Sequence, residues 1–183
     1  MVLALGDSLT AGFGVNDEDS YPSQLQLKIT SAGYPYKVVN AGVSGDTTAG
    51  GVRRIQWLMK HNPSIVILAL GANDGLRGLS VDEMRKNLET MIQICRKNNA
   101  KILMAGMKTL PNYGKDYMQD FETVFHELAK QYDLNFLPFL LEGVAGERVH
   151  TQPDGLHPVA SGYRIITDLV WEQLEPMLKK NSS

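Results

Sequence analysis

The fold class of this sequence is indicated by the stretch Ser64-Ile65-Val66-Ile67-Leu68-Ala69-Leu70. It begins with one polar residue and is then apolar without interruption, which is typical of a parallel strand covered on both faces. The apolar part is the longest such run in the chain, and it is far shorter than the roughly 18 residues that a membrane-spanning helix needs. The sequence therefore predicts a central strand of a buried parallel sheet and no integral membrane segment.

Strand and helix patterns alternate on both sides of this stretch. Short apolar segments predict strands at 2–5, 37–40, 64–70, 101–107 and 135–138. Helical spacing of apolar residues predicts helices at 21–32, 48–60, 80–97, 116–132 and 158–176. Ser80 and Glu83 have the spacing of a capping box, and Pro158 is expected to open the last helix.

This alternation predicts a three-layer α/β/α sandwich. The sheet is expected to be flavodoxin-like and parallel, with about five strands in the order 2-1-3-4-5. We expect one catalytic domain over residues 1–179 and a polar tail over residues 180–183.

Composition excludes several classes of protein. The chain has 183 residues, 43% of them hydrophobic, and a formal net charge of −2, so it is not intrinsically disordered. With 18 Lys and Arg against 20 Asp and Glu, the chain lacks the positive electrostatic potential that would attract nucleic acid. Cys95 is the only cysteine, which excludes an internal disulfide and a thiolate metal site. No metal site and no cofactor are expected, and we expect a monomer.

The first residue leaves the cellular location open. Met1 lies directly before the first predicted strand, with no charged segment and no cleavage site between them. We therefore keep two explanations. The protein is cytoplasmic, or it is periplasmic or secreted and its signal sequence has been replaced by a start methionine.

Four polar, glycine-containing segments follow predicted strands. They are Gly6-Asp7-Ser8-Leu9, Ser44-Gly45-Asp46-Thr47, Gly71-Ala72-Asn73-Asp74 and Asp154-Gly155-Leu156-His157. Each has an ordinary structural explanation: a helix cap, a tight turn, an Asx-turn and a turn before a helix. Together they supply a nucleophile, a base, a group to orient the base and donors for an oxyanion. Because the carboxyl ends of parallel strands meet at one edge of a sheet, we expect the four segments to form one site.

The residue types in these segments predict a serine hydrolase. Ser8 is the candidate nucleophile, His157 the base that takes its proton, and Asp154 the carboxylate that orients the imidazole from three residues away. The expected oxyanion donors are the N–H of Ser8, the N–H of Gly45 and the side-chain amide of Asn73. Gly45 has no Cβ, so its backbone can approach the reacting carbon.

Three other histidines compete with His157. His61 is predicted at a helix end and His126 in mid-helix, where both have structural explanations. His150 is the serious rival, because it lies on the same final loop. We prefer His157 because Asp154 is placed to orient it. None of these residues has the H-E-x-x-H spacing of a zinc site.

The four polar segments resemble the sequence blocks of a known family. The blocks Gly6-Asp7-Ser8-Leu9, Gly45, Asn73 and Asp154-x-x-His157 are similar in order and spacing to those of the SGNH (GDSL) hydrolases, over almost the whole chain. More narrowly, Ser44–Thr47, Asn73–Gly78 and Leu110–Gly114 resemble the bacterial thioesterase/lysophospholipase/arylesterase branch. Ala72 departs from the glycine common in that branch, and we expect only a slight change of loop backbone.

The resemblance implies a serine esterase with broad acyl-ester and thioester activity, without cofactor or metal. The expected substrates are small acyl or aryl esters, thioesters and lysophospholipids. Members of this branch are commonly exported, which favours the removed-signal explanation of Met1. Two alternatives stay open: a carbohydrate O-acetylesterase with the same triad, and a non-catalytic flavodoxin-like ligand-binding module.

Two loops are expected to shape the substrate site. Residues 75–79 have glycine near both ends, which permits movement, although an ordinary loop into the Ser80 cap explains them equally well. Residues 107–117 either line an acyl groove or pack on the surface. The expected substrate contacts are Asp7, Leu76, Leu110, Pro111 and Tyr113.

Overall fold

A parallel sheet of five strands forms the centre of the computed structural model, which describes residues 1–180. The strands are β1 (Val2–Gly6), β2 (Val38–Gly42), β3 (Ile65–Ala69), β4 (Lys101–Ala105) and β5 (Asn135–Leu137). They lie in the order β2-β1-β3-β4-β5, and every neighbouring pair is parallel. The predicted fold class and strand order are confirmed.

Helices cover both faces of the sheet. Within residues 1–180 they are α1 (Ser8–Ala11), α2 (Tyr21–Ser31), α3 (Thr48–Met59), α4 (Ala72–Leu76), α5 (Val81–Lys97), α6 (Lys115–Gln131) and α7 (Ala160–Leu174). Helix α5 packs between α3 and α6, and α2 packs on α7. Because crossovers between parallel strands are right-handed, this strand order places the first group on one face and the second on the other. None of these helices has the length and apolar composition needed to cross a membrane.

The core sits on the two central strands. Every residue of β1 and β3 is buried, as their continuous apolar sequences predict. Helix α5 buries one stripe, from Met84 through Leu88 to Cys95, against the sheet. Its N-terminus is capped as expected, since the Ser80 hydroxyl accepts the N–H of Glu83 at 3.3 Å. The carboxylate of Glu83 accepts from Lys86 at 2.7 Å, so the capping box is only half formed.

The ends of some elements differ from prediction. The last helix begins at Ala160, because Pro158 instead forms an antiparallel bridge with Thr151. It ends at Leu174, before a 3₁₀ turn that contains Pro176. The short helices α1 and α4 were not predicted, since four or five residues are too few to show a helical period. Residues 181–183 of the predicted tail lie outside the described residues.

Three strand ends bring the predicted loops to one edge of the sheet. Gly6 at the end of β1 is in register with Gly42 of β2 and with Ala69 of β3. The three strands therefore end level with one another at one edge of the sheet, and the loops that follow them contain Ser8, Gly45 and Asn73.

Candidate active site

Ser8, His157 and Asp154 form a continuous hydrogen-bonded chain at this edge. The Nε2 atom of His157 lies 2.9 Å from the Oγ of Ser8, and its Nδ1 lies 2.6 Å from the Oδ2 of Asp154. Ser8 is the first residue of α1, directly after β1. The ring of Phe13 packs against the imidazole, with ring centroids 4.6 Å apart. The structure thus joins residues that are 149 positions apart in the sequence.

Asp154 selects the tautomer of the neutral imidazole. Its Oδ1 accepts the N–H groups of His157 and Leu156 at 3.0 and 2.9 Å. The hydrogen bonds from the backbone and side chain of His157 lower the pKa of Asp154 to about 2, and the one from Leu156 adds to them. An ionised carboxylate only accepts, so the proton of neutral His157 lies on Nδ1. Nε2 then faces Ser8 as an acceptor, which is the state a general base requires.

The loop that carries Asp154 and His157 is attached to the loop that carries Ser8. The side-chain amide of Gln152 donates to the carbonyls of Phe13 and Pro158, at 2.8 and 2.9 Å. The backbone N–H of Gln152 donates to the carbonyl of His157 at 2.7 Å. Gln152 therefore fixes the position of the His157 loop relative to the loop that follows Ser8. Sequence reasoning missed Gln152, because an isolated glutamine in a turn carries no signal.

His150 forms a separate serine–histidine pair with Ser161 of α7. Its Nδ1 lies 2.9 Å from the Oγ of Ser161, and that hydroxyl donates to the carbonyl of Val149 at 3.2 Å. Ser161 therefore accepts from Nδ1, and the pair closes the start of α7. Within residues 1–180 no carboxylate is bonded to His150, in contrast to His157.

The remaining nucleophile and base candidates have structural roles. The His61 ring packs edge-on against Trp57, and the His126 ring against Phe136. Cys95 is buried, and burial raises the pKa of its thiol to about 12. Within residues 1–180 no group of three histidine, cysteine or acidic side chains is arranged to hold a metal ion.

Gly45 lies at the third position of a β-turn that begins at Val43. The turn is closed by the N–H of Asp46, which donates to the Val43 carbonyl at 3.0 Å. Gly45 has a φ of +79°, which a type II turn requires at this position and which favours glycine. Among residues 1–180 no protein acceptor takes the Gly45 N–H, and Gly45 is exposed. Arg77 steadies the turn by donating to the Gly45 carbonyl at 2.8 Å.

Asn73 belongs to α4, and its amide is oriented by a buried carboxylate. The Nδ2 of Asn73 donates to the Oδ2 of Asp7 at 3.3 Å. The other carboxylate oxygen accepts the N–H of Leu9 at 3.0 Å and so caps α1. Asp7 is fully buried, and this burial raises the pKa of its carboxyl to about 6. Asp7 was expected to contact the substrate; it borders the groove beside Ser8, with its carboxylate buried and bonded to Asn73, and the substrate contact stays a prediction.

A second buried carboxylate connects the Asn73 segment to the Gly45 turn. Asp74 accepts the backbone N–H of Thr48 at 2.9 Å and its hydroxyl at 2.6 Å. The Thr48 hydroxyl also accepts from Asn87 at 3.1 Å. Since Thr48 begins α3, Asp74 satisfies a helix N-terminus that has no side-chain cap of its own. The two predicted oxyanion segments therefore form one rigid unit.

An apolar groove of about 410 Å³ runs past Ser8. Its apolar side chains are Leu9, Ala72, Leu76, Leu110, Phe139, Leu141, Ala145 and Leu156. Lys108 and Thr109 add polar atoms, and the Oγ1 of Thr109 is buried without a hydrogen-bond partner among residues 1–180. Sequence analysis missed Phe139, Leu141 and Ala145, which follow β5. Apolar side chains in a loop at the carboxyl edge of the sheet could have indicated a substrate groove there.

The predicted substrate loops take mixed positions. Leu76 and Leu110 line the groove, whereas Pro111 and Tyr113 form a 3₁₀ turn outside its lining. Tyr113 donates to the Leu76 carbonyl at 3.2 Å, and Tyr117 donates to that of Leu79 at 2.9 Å. The first part of the expected loop 75–79 is the end of helix α4. The movement of this segment stays a prediction.

Comparison with known proteins agrees with this geometry. The sequence profile of the GDSL-like lipase/acylhydrolase family matches residues 4–165. Esterase TesA of Pseudomonas aeruginosa is 39% identical over 178 residues, which cover 97% of this chain and 89% of that protein. Thioesterase 1/protease 1/lysophospholipase L1 of Escherichia coli K12 is 36% identical over 182 residues, 99% of this chain and 86% of that protein.

The fold comparison gives the same result. A crystal structure of TesA superposes with a TM-score of 0.93 at 39% identity, covering 97% of this chain and 99% of that one. The α/β/α sandwich is therefore shared over almost the whole chain.

Proposed function

The chain belongs to the GDSL-like lipase/acylhydrolase family and is a serine hydrolase of ester bonds, and we propose that it works through an acyl-enzyme on Ser8. The observation that carries the proposal is the chain of two contacts, 2.9 Å from Ser8 to His157 and 2.6 Å from His157 to Asp154. A hydroxyl becomes an effective nucleophile only when a base takes its proton during attack.

Acylation begins when the Oγ of Ser8 attacks the carbonyl carbon and His157 Nε2 takes the hydroxyl proton. The imidazolium that forms is stabilised by the ionised Asp154. Negative charge on the carbonyl oxygen is received by the N–H groups of Ser8 and Gly45 and by the amide of Asn73. His157 then gives its proton to the departing alcohol or thiol, which leaves the acyl group on Ser8.

Deacylation repeats these steps with water. His157 takes a proton from the water, whose oxygen attacks the acyl carbon, and the bond to Ser8 Oγ breaks. Ser8 recovers its proton from His157, and a carboxylic acid is released. The donors for the oxyanion are the same in both steps, so their preorganisation lowers both barriers.

The groove supports acyl and aryl esters as the substrate class. Leucine, alanine and phenylalanine side chains favour hydrocarbon over the hydroxyl groups of a sugar. The triad makes no demand on whether the leaving group is an alcohol or a thiol. We include thioesters and lysophospholipids, as the name of the Escherichia coli relative indicates for that protein.

The test uses the two serine–histidine pairs found among residues 1–180, with Ser8 as the case and Ser161 as the control. Ser8→Ala is expected to lower kcat on a short p-nitrophenyl ester by more than about a hundredfold, because no nucleophile remains. Ser161→Ala removes the other histidine-bonded hydroxyl and is expected to stay within about threefold of wild type. Equal losses in the two variants would refute the assignment of Ser8.

The substrate class is tested with wild-type enzyme. Initial rates are compared on p-nitrophenyl esters of graded length, on an acyl thioester and on acetylated xylan. We expect rapid turnover of the simple esters. Efficient deacetylation of xylan with little turnover of simple esters would favour the carbohydrate O-acetylesterase.

A further inference from the structure

Arg54 of helix α3 binds three acceptors with one guanidinium group. Its Nε donates to the Oδ2 of Asp46 at 2.8 Å, its Nη1 to the Ala41 carbonyl at 2.6 Å, and its Nη2 to the Gly6 carbonyl at 2.8 Å. The side chains of Arg54 and Asp46 are only 20% and 10% exposed. A planar guanidinium with three charge-assisted bonds holds its partners in fixed directions.

Two of the three acceptors lie beside the two backbone donors of the proposed oxyanion hole. Gly6 ends β1, two residues before Ser8. Asp46 follows Gly45 and closes its turn. The Gly6 carbonyl also accepts the N–H of Val43, at the start of that turn, at 3.0 Å. Arg54 therefore connects the segment that presents the Ser8 N–H with the turn that presents the Gly45 N–H.

The ion pair between Arg54 and Asp46 has room because residue 50 of α3 is a glycine. A Cβ on Gly50 would lie 1.5 Å from the Oδ1 of Asp46. Gly50 is inside α3, where glycine is unfavourable compared with alanine. Helix α3 therefore has glycine, an unfavourable helix residue, at position 50, where a side chain would displace the Asp46 carboxylate.

We propose that Arg54 is a positioning residue for the oxyanion hole, which sets the distance between the Ser8 and Gly45 N–H groups through Gly6 and Asp46. The inference rests on the proposed function, since it concerns the donors of that reaction. Arg54 does not contact the triad, so its loss leaves the nucleophile and base in place and weakens binding of the oxyanion. The effect then falls on kcat and spares KM, because the oxyanion exists only in the transition state and the intermediates.

The variants are Arg54→Met, which keeps the bulk of the side chain, and Arg54→Lys, which keeps its charge. Arg53→Ala is the matched control, since Arg53 is exposed on the same helix and makes none of these contacts. Active sites are counted by the burst of p-nitrophenol from a p-nitrophenyl phosphonate, and kcat is expressed per counted site. A purely structural role lowers the number of sites and leaves kcat per site unchanged.

We expect Arg54→Met to lower kcat per counted site by about 10- to 100-fold, a fraction of the loss from deleting an oxyanion donor, with KM within about threefold. Arg54→Lys is expected to fall between Arg54→Met and wild type, because an ammonium cannot span three acceptors. A kcat per site within about twofold of wild type in both Arg54 variants, or an equal loss in Arg53→Ala, overturns the inference. If Arg54→Met does not fold, Arg54→Lys decides by the same criterion. Failure of the proposed function has a different signature, because wild type would then give no burst that Ser8→Ala abolishes.

Discussion

Replacing Asp7 by asparagine is expected to remove a loss of stability that wild type suffers as pH rises from 4.5 to 7.5, while it damages catalysis. The Asp7 carboxylate is fully buried and accepts one bond from Leu9 and one from Asn73. A carboxamide has the same shape and no charge, but it has one acceptor oxygen where the carboxylate has two. It can serve Leu9 or Asn73 but not both, so the amide of Asn73 loses its fixed orientation.

The magnitude follows from the effect of burial on the carboxyl group. Raising the pKa of Asp7 from 3.8 to about 6 disfavours the ionised form in the folded state. By linkage this costs about 3 kcal/mol above pH 6, and about 2 kcal/mol of it appears between pH 4.5 and pH 7.5. The folded state binds the proton more tightly than the unfolded state, so this contribution makes the protein less stable as pH rises through that window. Asparagine does not titrate and removes this loss.

The assay is urea unfolding followed by circular dichroism at pH 4.5 and pH 7.5. We expect the free energy of unfolding of Asp7→Asn, taken as the difference from wild type, to be about 2 kcal/mol higher at pH 7.5 than at pH 4.5. Its kcat is expected to fall by about tenfold or more, because Asn73 is mispositioned. Asp120→Asn, the same change at an exposed site of α6, is the control and should show neither effect. The reasoning fails if Asp7→Asn and wild type have parallel pH dependences of stability.

Three further predictions concern other parts of the site. Asn73→Ala should lower kcat by about a hundredfold or more with little change in KM, since its amide acts on the oxyanion; steady-state kinetics that show a raised KM and an unchanged kcat would make it a ground-state binding residue. His157→Ala should be as damaging as Ser8→Ala, and the double variant scarcely worse, whereas His150→Ala should cost less than about tenfold in kcat/KM. The reverse order of the two histidines would eliminate the Asp154–His157 unit. Thr109→Val should raise the free energy of unfolding by about 1 kcal/mol in urea titrations, because it removes a buried hydroxyl that has no partner among residues 1–180; destabilisation would mean that this hydroxyl is bonded in solution.

Local sequence was sufficient for the architecture and for the chemical class. Continuous apolar strands such as Ile65–Ala69 can lie only inside a covered sheet, and alternation with helices fixes a parallel order. The pair Asp154 and His157 was equally accessible, because three residues of one loop bring a carboxylate to an imidazole. Short-range geometry of this kind depends on the chain itself and needs no knowledge of distant contacts.

The supporting residues of the site were decided only in three dimensions. Asp7 faces Asn73 across 66 positions of sequence, and Arg54 reaches Gly6 across 48. Gln152 reaches Phe13 across 139. Nothing in the local pattern of a single arginine, glutamine or buried aspartate indicates such a partner. Sequence patterns were therefore enough to predict which groups react. Which residues hold those groups in place follows only from the packing of the strand ends, because each of these hydrogen bonds joins segments that approach one another after the sheet has formed.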